Sequence, residues 1–574
     1  MPNRLQAEIV SSLEKVFCVP ELAASPLTRL SGGHGETVAF QIACRADEPA
    51  WVKIEVESEL KPFVRIREVG LVPCEMPAMP DDPDVLSSRA GLYPDPLLPT
   101  EEEMIRLSRA NQHALWVSVA IPDDVPDGTY PIRFRLTDQE GRLAPAAVSL
   151  SLEIMPFRLP EQKLICTNWF YADCIASHYR VECWSEAHWT LLERYFRNMA
   201  EHGINMLLTP LWTVPLDTAA GHERPTAQLL RIACSGGTCR FDFSRLERWI
   251  GLAQSCGIRF FEMSHAFTQW GALFTPKIVV TEDGAEKKRF GWHVRADSPE
   301  YADFLRQLMP PLLRFLREHG LADRCYFHIS DEPEERHLDS YRKAVELFRP
   351  LVEEFPVIDA LSEPEFFRRG LADRPVPTTE KLEAFLGEPV RQRWVYYCGN
   401  YRKVPNRQFG MPSSRNRILG VILYLYDLDG FLNWGYNFWY TQYSRRPLDP
   451  FRDTTAGRAF CGGGSFQVYP GEDGPVDSLH YEVFREGLQD LRALRLLESR
   501  IGREATVSLI HRKLDYRITI ERYPRDAGWL PAFREELNRE LVTREGLAAG
   551  SGGTRRAAGR TPSGTPVNVE KTRA

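Results

Sequence analysis

The chain has 574 residues, more than one ordinary domain holds, and its 43% hydrophobic and 26% charged content is that of a globular protein with ample core. Its formal net charge of −7, with both signs interspersed, leaves no basic stripe, so nucleic acid is not an expected partner. No stretch approaches the about 18–20 uninterrupted apolar residues of a membrane helix, and MPNRLQAEIVSSLEKVF lacks a signal-peptide core, so no membrane association and a cytoplasmic location are expected.

Residues 1–158 read as β-rich. ETVAFQIAC, WVKIEVES, HALWVSVAI, TYPIRFRLTD and AAVSLSLEI alternate apolar with polar residues between Pro, Gly and Asp turns. Short alternating strands at this spacing predict an antiparallel β-sandwich. MPFRLPEQK then marks an exit linker.

From residue 159 to 502 the rhythm becomes strand, loop, helix. Candidate strands are LICTNWFY, INMLLTPL, IRFFEMSHAF, CYFHIS, FPVIDAL, RPVPT, RWVYYCGN and GFLNWGYNFW, with amphipathic helices between many of them. Eight such units predict an α/β fold, a (β/α)8 TIM-type barrel. RPVPT is the weakest strand, because its two prolines have no N–H to donate. KIVVTEDGAEKKRFGW, with Asp-Gly at its centre, predicts a hairpin inserted after the third strand. SLHYEVFREGLQDLRALRLLESRIG would close the barrel. Residues 503–545 read as a C-terminal helical extension, and 546–574 as a low-complexity, disordered tail. The twelve cysteines have no framework spacing and read as mostly free, buried thiols. CSGGTC (Cys234, Cys239) has no second pair of metal-ligand spacing near it, and no metal is expected.

The segment CYFHISDEPEE places Asp331 and Glu332 side by side where the fourth strand meets the next helix. Ser330 or Asp331 could cap that helix, Pro333 suits its first turn, and Glu334 and Glu335 suit the positive end of its dipole. Barrel geometry adds a second reading. Strand alternation would set Tyr326, His328, Ser330 and Glu332 inward, with Glu332 at the C-terminal rim where barrel active sites form. Asp331 would then face away unless a twist or bulge turns it. Two neighbouring carboxylates can act on a glycosidic bond, one as acid and the other stabilising positive charge. Adjacent residues rarely straddle a scissile bond, so the doublet suits a substrate-assisted route. There the sugar's 2-acetamido oxygen attacks the anomeric carbon, Asp331 orients the acetamido group, and Glu332 serves as acid, then base.

The order of β-sandwich and barrel, HISDEP at the fourth strand, and then GFLNWGYNFW, LDPFRD and VYPGEDGPVDSLHYEVFREGLQD together resemble glycoside hydrolase family 123 and its broader relatives. The resemblance spans about residues 100–500. It implies a retaining, substrate-assisted exo-β-N-acetylgalactosaminidase with Asp331 and Glu332 as catalytic pair, acting on an oligosaccharide or glycoconjugate. Leu479-His480 stands where the pattern has Leu/Ile-Arg.

Other strand ends supply candidate substrate contacts: Asn168, Trp169, His265, His328, Asp359, Tyr396, Tyr397, Trp434, Asn437 and Trp439. Aromatic faces stack on pyranoses and amides read hydroxyls, while core packing, or helix capping for Asp359, is the rival role for each. No phosphate loop, nucleophile elbow or His-Glu-x-x-His is present, so no cofactor is implied. Two alternatives stand beside the leading reading. One is a barrel glycosidase for a different sugar that pairs Glu332 with a distant carboxylate such as Asp359; the other is a non-catalytic carbohydrate-binding protein.

Overall fold

The strand Ala50–Glu57 (AWVKIEVE) buries every second residue, so one face meets a core while the other meets water. Patterns of this kind build two five-stranded sheets in the computed structural model, which describes residues 4–18, 26–109, 111–399 and 402–551. One sheet orders Leu5–Ser11, Glu36–Ala46, His113–Ile121, Val64–Cys74 and Gly91–Pro99. The other orders Arg29–His34, Ala146–Arg158, Gly128–Asp138, Ala50–Glu57 and Met104–Leu107. Phe40, Ile42, Val117 and Val119 of the first share one buried apolar cluster with Val52, Ile54, Phe134 and Leu152 of the second. One strand pair departs from the antiparallel expectation: Ala146–Arg158 runs parallel to Arg29–His34. RLSGGH has no alternation to announce it as a strand. Its Gly33 lets the Phe157 ring approach so closely that a Cβ there would fall 2.2 Å from a ring carbon.

Beyond the linker the protein is mixed α/β. Cys325–Tyr326, Phe260–Met263, Met206–Thr209, Ile165–Asn168, Gly430–Asn433 and Trp394–Tyr397 form a curled six-stranded sheet in that order, parallel throughout. Ile358–Ala360 and Arg374–Val376 make a separate parallel pair. Single parallel bridges, Phe327 to Val357 and Thr378 to Tyr396, tie that pair to the two ends of the larger sheet. All eight expected segments therefore contribute strand, and proline-rich RPVPT gives three residues. The helices Glu186–Glu201 and Pro299–Glu318 start where Ser185 and Ser298 accept hydrogen bonds from the backbone N–H of His188 and Tyr301.

The inserted hairpin forms from Ile278–Glu282 and Ala285–Phe290, and joins Arg231–Ser235 and Thr238–Asp242 in a four-stranded sheet. There Cys234 and Cys239 stand opposite each other in the ladder and are joined in a disulfide. This corrects the expectation of free thiols for that pair; the other ten cysteines are not disulfide-bonded. Sequence spacing missed it because register, not a cysteine framework, brings the two together.

The helix Leu479–Ile501 ties the two parts of the chain. At its start, the His480 Nδ1 lies 2.7 Å from Asp95 Oδ1 on the first sheet and its Nε2 2.9 Å from Phe466 O, a framework role for the residue that departs from the family pattern. Arg503–His511 and Trp529–Ser551 are the next two helices. Arg534 pairs with Glu36 and Asp490, and Asn538 Nδ2 donates to Ser31 Oγ at 3.0 Å. The last helix is described as far as Ser551, and 552–574, most of the expected tail, lie outside the described residues. Among the described residues no helix is long and apolar enough to cross a membrane.

Candidate active site

The ladder of the fourth parallel strand stops at Tyr326, earlier than strand alternation assumes. From there single hydrogen bonds hold the backbone on both flanks. Ala266 N donates to His328 O (3.0 Å), Phe267 N to Ile329 O (3.0 Å) and Trp270 N to Asp331 O (2.8 Å). Opposite them, Ile358 N donates to Phe327 O (3.0 Å) and Glu332 N to Ala360 O (3.0 Å). Glu332 then takes φ 44°, the left-handed region that residues with a Cβ rarely occupy. The turn breaks the alternation that would send Asp331 and Glu332 to opposite faces.

The Glu332 Oε1 accepts the Tyr396 hydroxyl and, at 3.3 Å, the Cys398 thiol. Asp331 is 8% exposed, and its carboxylate accepts no hydrogen bond from the described residues. Burial first, then the charge of Glu332, holds the Asp331 carboxyl well above the usual carboxylate range, while His328 pulls the other way. A third carboxylate, Asp217, interacts with both. Its Oδ2 accepts Tyr443 N at 2.9 Å. Burial pushes Asp217 up to about 6, with the charge of Glu332 adding to the rise and the Tyr443 N–H and Arg224 opposing it. Trp270 completes the wall, edge-on to Tyr443 with ring centroids 5.6 Å apart. Asp217, Trp270, Glu332 and Tyr443 all have left-handed backbone, at φ 39°, 56°, 44° and 62°. Strain of this kind persists where surrounding structure over-determines it, and functional sites are where it gathers.

Beneath the pair lies a sealed polar layer. Glu262 accepts from the Thr167 hydroxyl, from Trp169 Nε1 at 3.1 Å and from His328 Nε2 at 2.9 Å. On the other side His328 Nδ1 stands 3.5 Å from Asp359 Oδ1, an ion-pair distance rather than a good hydrogen bond. Asp359 is itself fixed by Ile329 N (2.9 Å) and the Tyr341 hydroxyl (2.5 Å). Burial alone would depress His328, but Asp359 and Glu262 outweigh it and push the imidazole up to about 9. A histidine raised this way stabilises the fold fully below its unfolded value near 6.5 and loses that contribution as pH rises through about 9. Thermal unfolding measured from pH 6 to 10 should show a decline worth about 3 kcal/mol from this residue, and His328→Gln should flatten it.

His265 stacks on His328 with ring centroids 4.2 Å apart and planes 17° from parallel. His265, His328 and Asp359 lie close enough together to suggest metal ligands. However, stacked rings point their lone pairs along parallel lines, which do not converge on one ion as tetrahedral coordination requires. The cluster of His202, Asp477 and Glu482 is occupied by the Arg67 guanidinium, which pairs with both carboxylates.

Of the expected contacts, Tyr396 bonds directly to the pair. Trp169, His265, His328 and Asp359 belong to the layer below, all buried. Asn168 Oδ1 accepts Asn433 Nδ2 at 2.5 Å. Tyr397 is buried with its ring edge-on to Phe431, and Trp434 packs on Phe438 and Phe460. Asn437 bonds both the N–H and the carbonyl of Tyr171, and Trp439 Nε1 donates to Val468 O at 3.2 Å, so these two side chains hold the framework. Sequence reading missed Glu262, although a lone acid in the apolar run FFEM was a visible signal. Asp217, Trp270, Cys398 and Tyr443 gave none, because loops and not a repeating pattern bring them to the rim.

The family profile described as glycoside hydrolase 123, catalytic domain, matches residues 169–497, more than half the chain. Among solved structures, a family 123 glycoside hydrolase from Clostridium perfringens, described for glycolipid glycan hydrolysis, superposes with TM-score 0.71 at 15% identity over 96% of this chain and 98% of that one. A Bacteroides ovatus GH5 xyloglucanase gives TM-score 0.31 at 10% identity over 84% of this chain and 100% of that one. A Bacteroides uniformis β-glucuronidase gives 0.30 at 11% identity over 82% and 49%. Curated protein sequences yield no match. The ordered motifs and the adjacent carboxylates at one rim agree with the profile match, and the chain belongs to glycoside hydrolase family 123 and is a glycoside hydrolase.

Proposed function

We propose that the protein is a retaining exo-glycosidase that removes a terminal β-linked N-acetylhexosamine, N-acetylgalactosamine first among them, by substrate-assisted catalysis. The six-stranded sheet, the strand pair and the two bridges read as one closed (β/α)8 barrel spanning 159–502, preceded by a β-sandwich over 1–158 and succeeded by a helical extension over 503–545. Asp331 accepts the acetamido N–H and aligns its oxygen on the anomeric carbon. Glu332 protonates the leaving oxygen, then takes a proton from the water that opens the cyclic intermediate.

One observation supports this reading above the others: Asp331 has a carboxylate with no protein donor among the described residues, directly beside a Glu332 that is anchored by Tyr396. A two-carboxylate mechanism through Asp359 lacks such support, because that side chain is 2% exposed and bonded to Tyr341 and Ile329. Aryl β-N-acetylgalactosaminide, β-N-acetylglucosaminide and β-galactoside separate the possibilities. Release from the first well above the second, and none from the third, is expected; equal release from the plain galactoside sinks neighbouring-group participation. Tyr396→Phe should lower kcat/KM about tenfold with the fold intact, since it removes one hydrogen bond that positions the acid/base. Steady-state kinetics beside a circular dichroism melt check this.

A further inference from the structure

We infer that Asp217 is a third carboxylate of the substrate pocket, accepting hydrogen bonds from hydroxyl groups of the sugar held by Asp331 and Glu332. The inference rests on the roles proposed above for that pair and adds a residue that no motif marks.

Its geometry has two halves. Tyr443 N–H fixes Oδ2 at 2.9 Å, and the Ser444 hydroxyl holds the Asp217 carbonyl at 2.7 Å. Oδ1 accepts no hydrogen bond from the described residues, and the side chain is only partly buried. An aspartate needed solely to join two loops has no reason to stand beside two other carboxylates, where like charges repel. The groups that face it are Glu332 from the fourth strand end, Arg224 from its own long loop, and Tyr443, and it acts in turn on Asp331 and Tyr171. Arg224 does not neutralise it directly. That guanidinium is committed to Asp173 through contacts of 2.9 and 2.8 Å, and lies 4.4 Å from the centre of the Tyr171 ring. The unmet demand is for neutral donors, which sugar hydroxyls supply. A carboxyl pushed up to about 6 changes its protonation close to neutral pH, and it keeps an acceptor oxygen in either protonation state.

Asp217→Asn tests the assignment, because the amide oxygen still receives the Tyr443 N–H while the charge is lost. For aryl β-N-acetylgalactosaminide, kcat/KM should fall about 10- to 100-fold, mostly through KM. A titration near pH 6 should also vanish from its pH profile. Of a set of 3-, 4- and 6-deoxy aryl substrates, one should lose affinity with the wild-type enzyme but not further with the variant. Wild-type kinetics in Asp217→Asn, with only Asp217→Ala less stable, would confine Asp217 to loop structure and overturn the inference while leaving the proposed mechanism standing. A loss of kcat beyond a thousandfold, restored by azide with inverted glycosyl azide as product, would make Asp217 the nucleophile and overturn both.

Discussion

Glu332→Gln is expected to lower kcat on an unactivated β-N-acetylhexosaminide about a thousandfold, the usual worth of a positioned acid and base. The substitution keeps the shape and keeps an oxygen for the Tyr396 hydroxyl, so folding should be unchanged. Its signature is the dependence on leaving group. A dinitrophenyl glycoside departs without protonation, so its first step should survive, while opening of the cyclic intermediate still lacks a base. Pre-steady-state mixing should then give a burst of released phenol, and added azide should speed the slow phase with retention of configuration. Equal losses for activated and unactivated substrates would remove Glu332 from the acid role.

The legible parts of the structure are those where side-chain period and burial coincide. AWVKIEVE and the other alternating runs gave correct strands, and the apolar strand cores of the second part appeared in sequence order. RLSGGH escaped because glycines replaced the pattern, allowing a backbone approach that no periodicity predicts. Within the site, HISDEP and Tyr396 were readable because they sit on or beside strands. Strand alternation misdirected Asp331, since the ladder ends at Tyr326 and the left-handed turn at Glu332 reorients the chain there. Asn437 and Trp439 show the opposite limit. An amide and an indole at a strand end look alike whether they meet a sugar or, as here, the carbonyls of Tyr171 and Val468. Asp217 and Tyr443 are 226 residues apart and meet through loops alone.

The sealed layer gives the proposed catalytic pair its electrostatic footing. Asp331 occupies a buried position beside another carboxylate, which favours its protonated form, and the positive His328 beneath is the counterweight. His328 is in turn held between Glu262 and Asp359. Its charge therefore depends on two carboxylates that themselves have no access to substrate.

Asp331→Asn is expected to lower kcat on N-acetylhexosaminides about a hundred- to a thousandfold, the scale of one preorganised electrostatic contact to developing charge. The oxazolinium-like transition state places positive charge on the acetamido nitrogen, and only an anionic partner gains strength as that charge forms. Substrate in its ground state is neutral, so KM should change less than kcat. The environment of the residue sets the sign of its pH dependence. Asp331 is shifted upward by burial and by Glu332, so the wild-type kcat/KM should already decline on the acid side at a pH above the ordinary carboxylate range. In the free enzyme the proton on Asp331 removes the negative charge that the developing acetamido cation requires, and this limb should be missing from the asparagine variant. A thiazoline mimic of the cyclic intermediate, protonated on binding, should lose affinity in Asp331→Asn by the same factor as kcat/KM. If the mimic binds both proteins equally, Asp331 does not stabilise the cyclic intermediate and the reaction proceeds without the acetamido group.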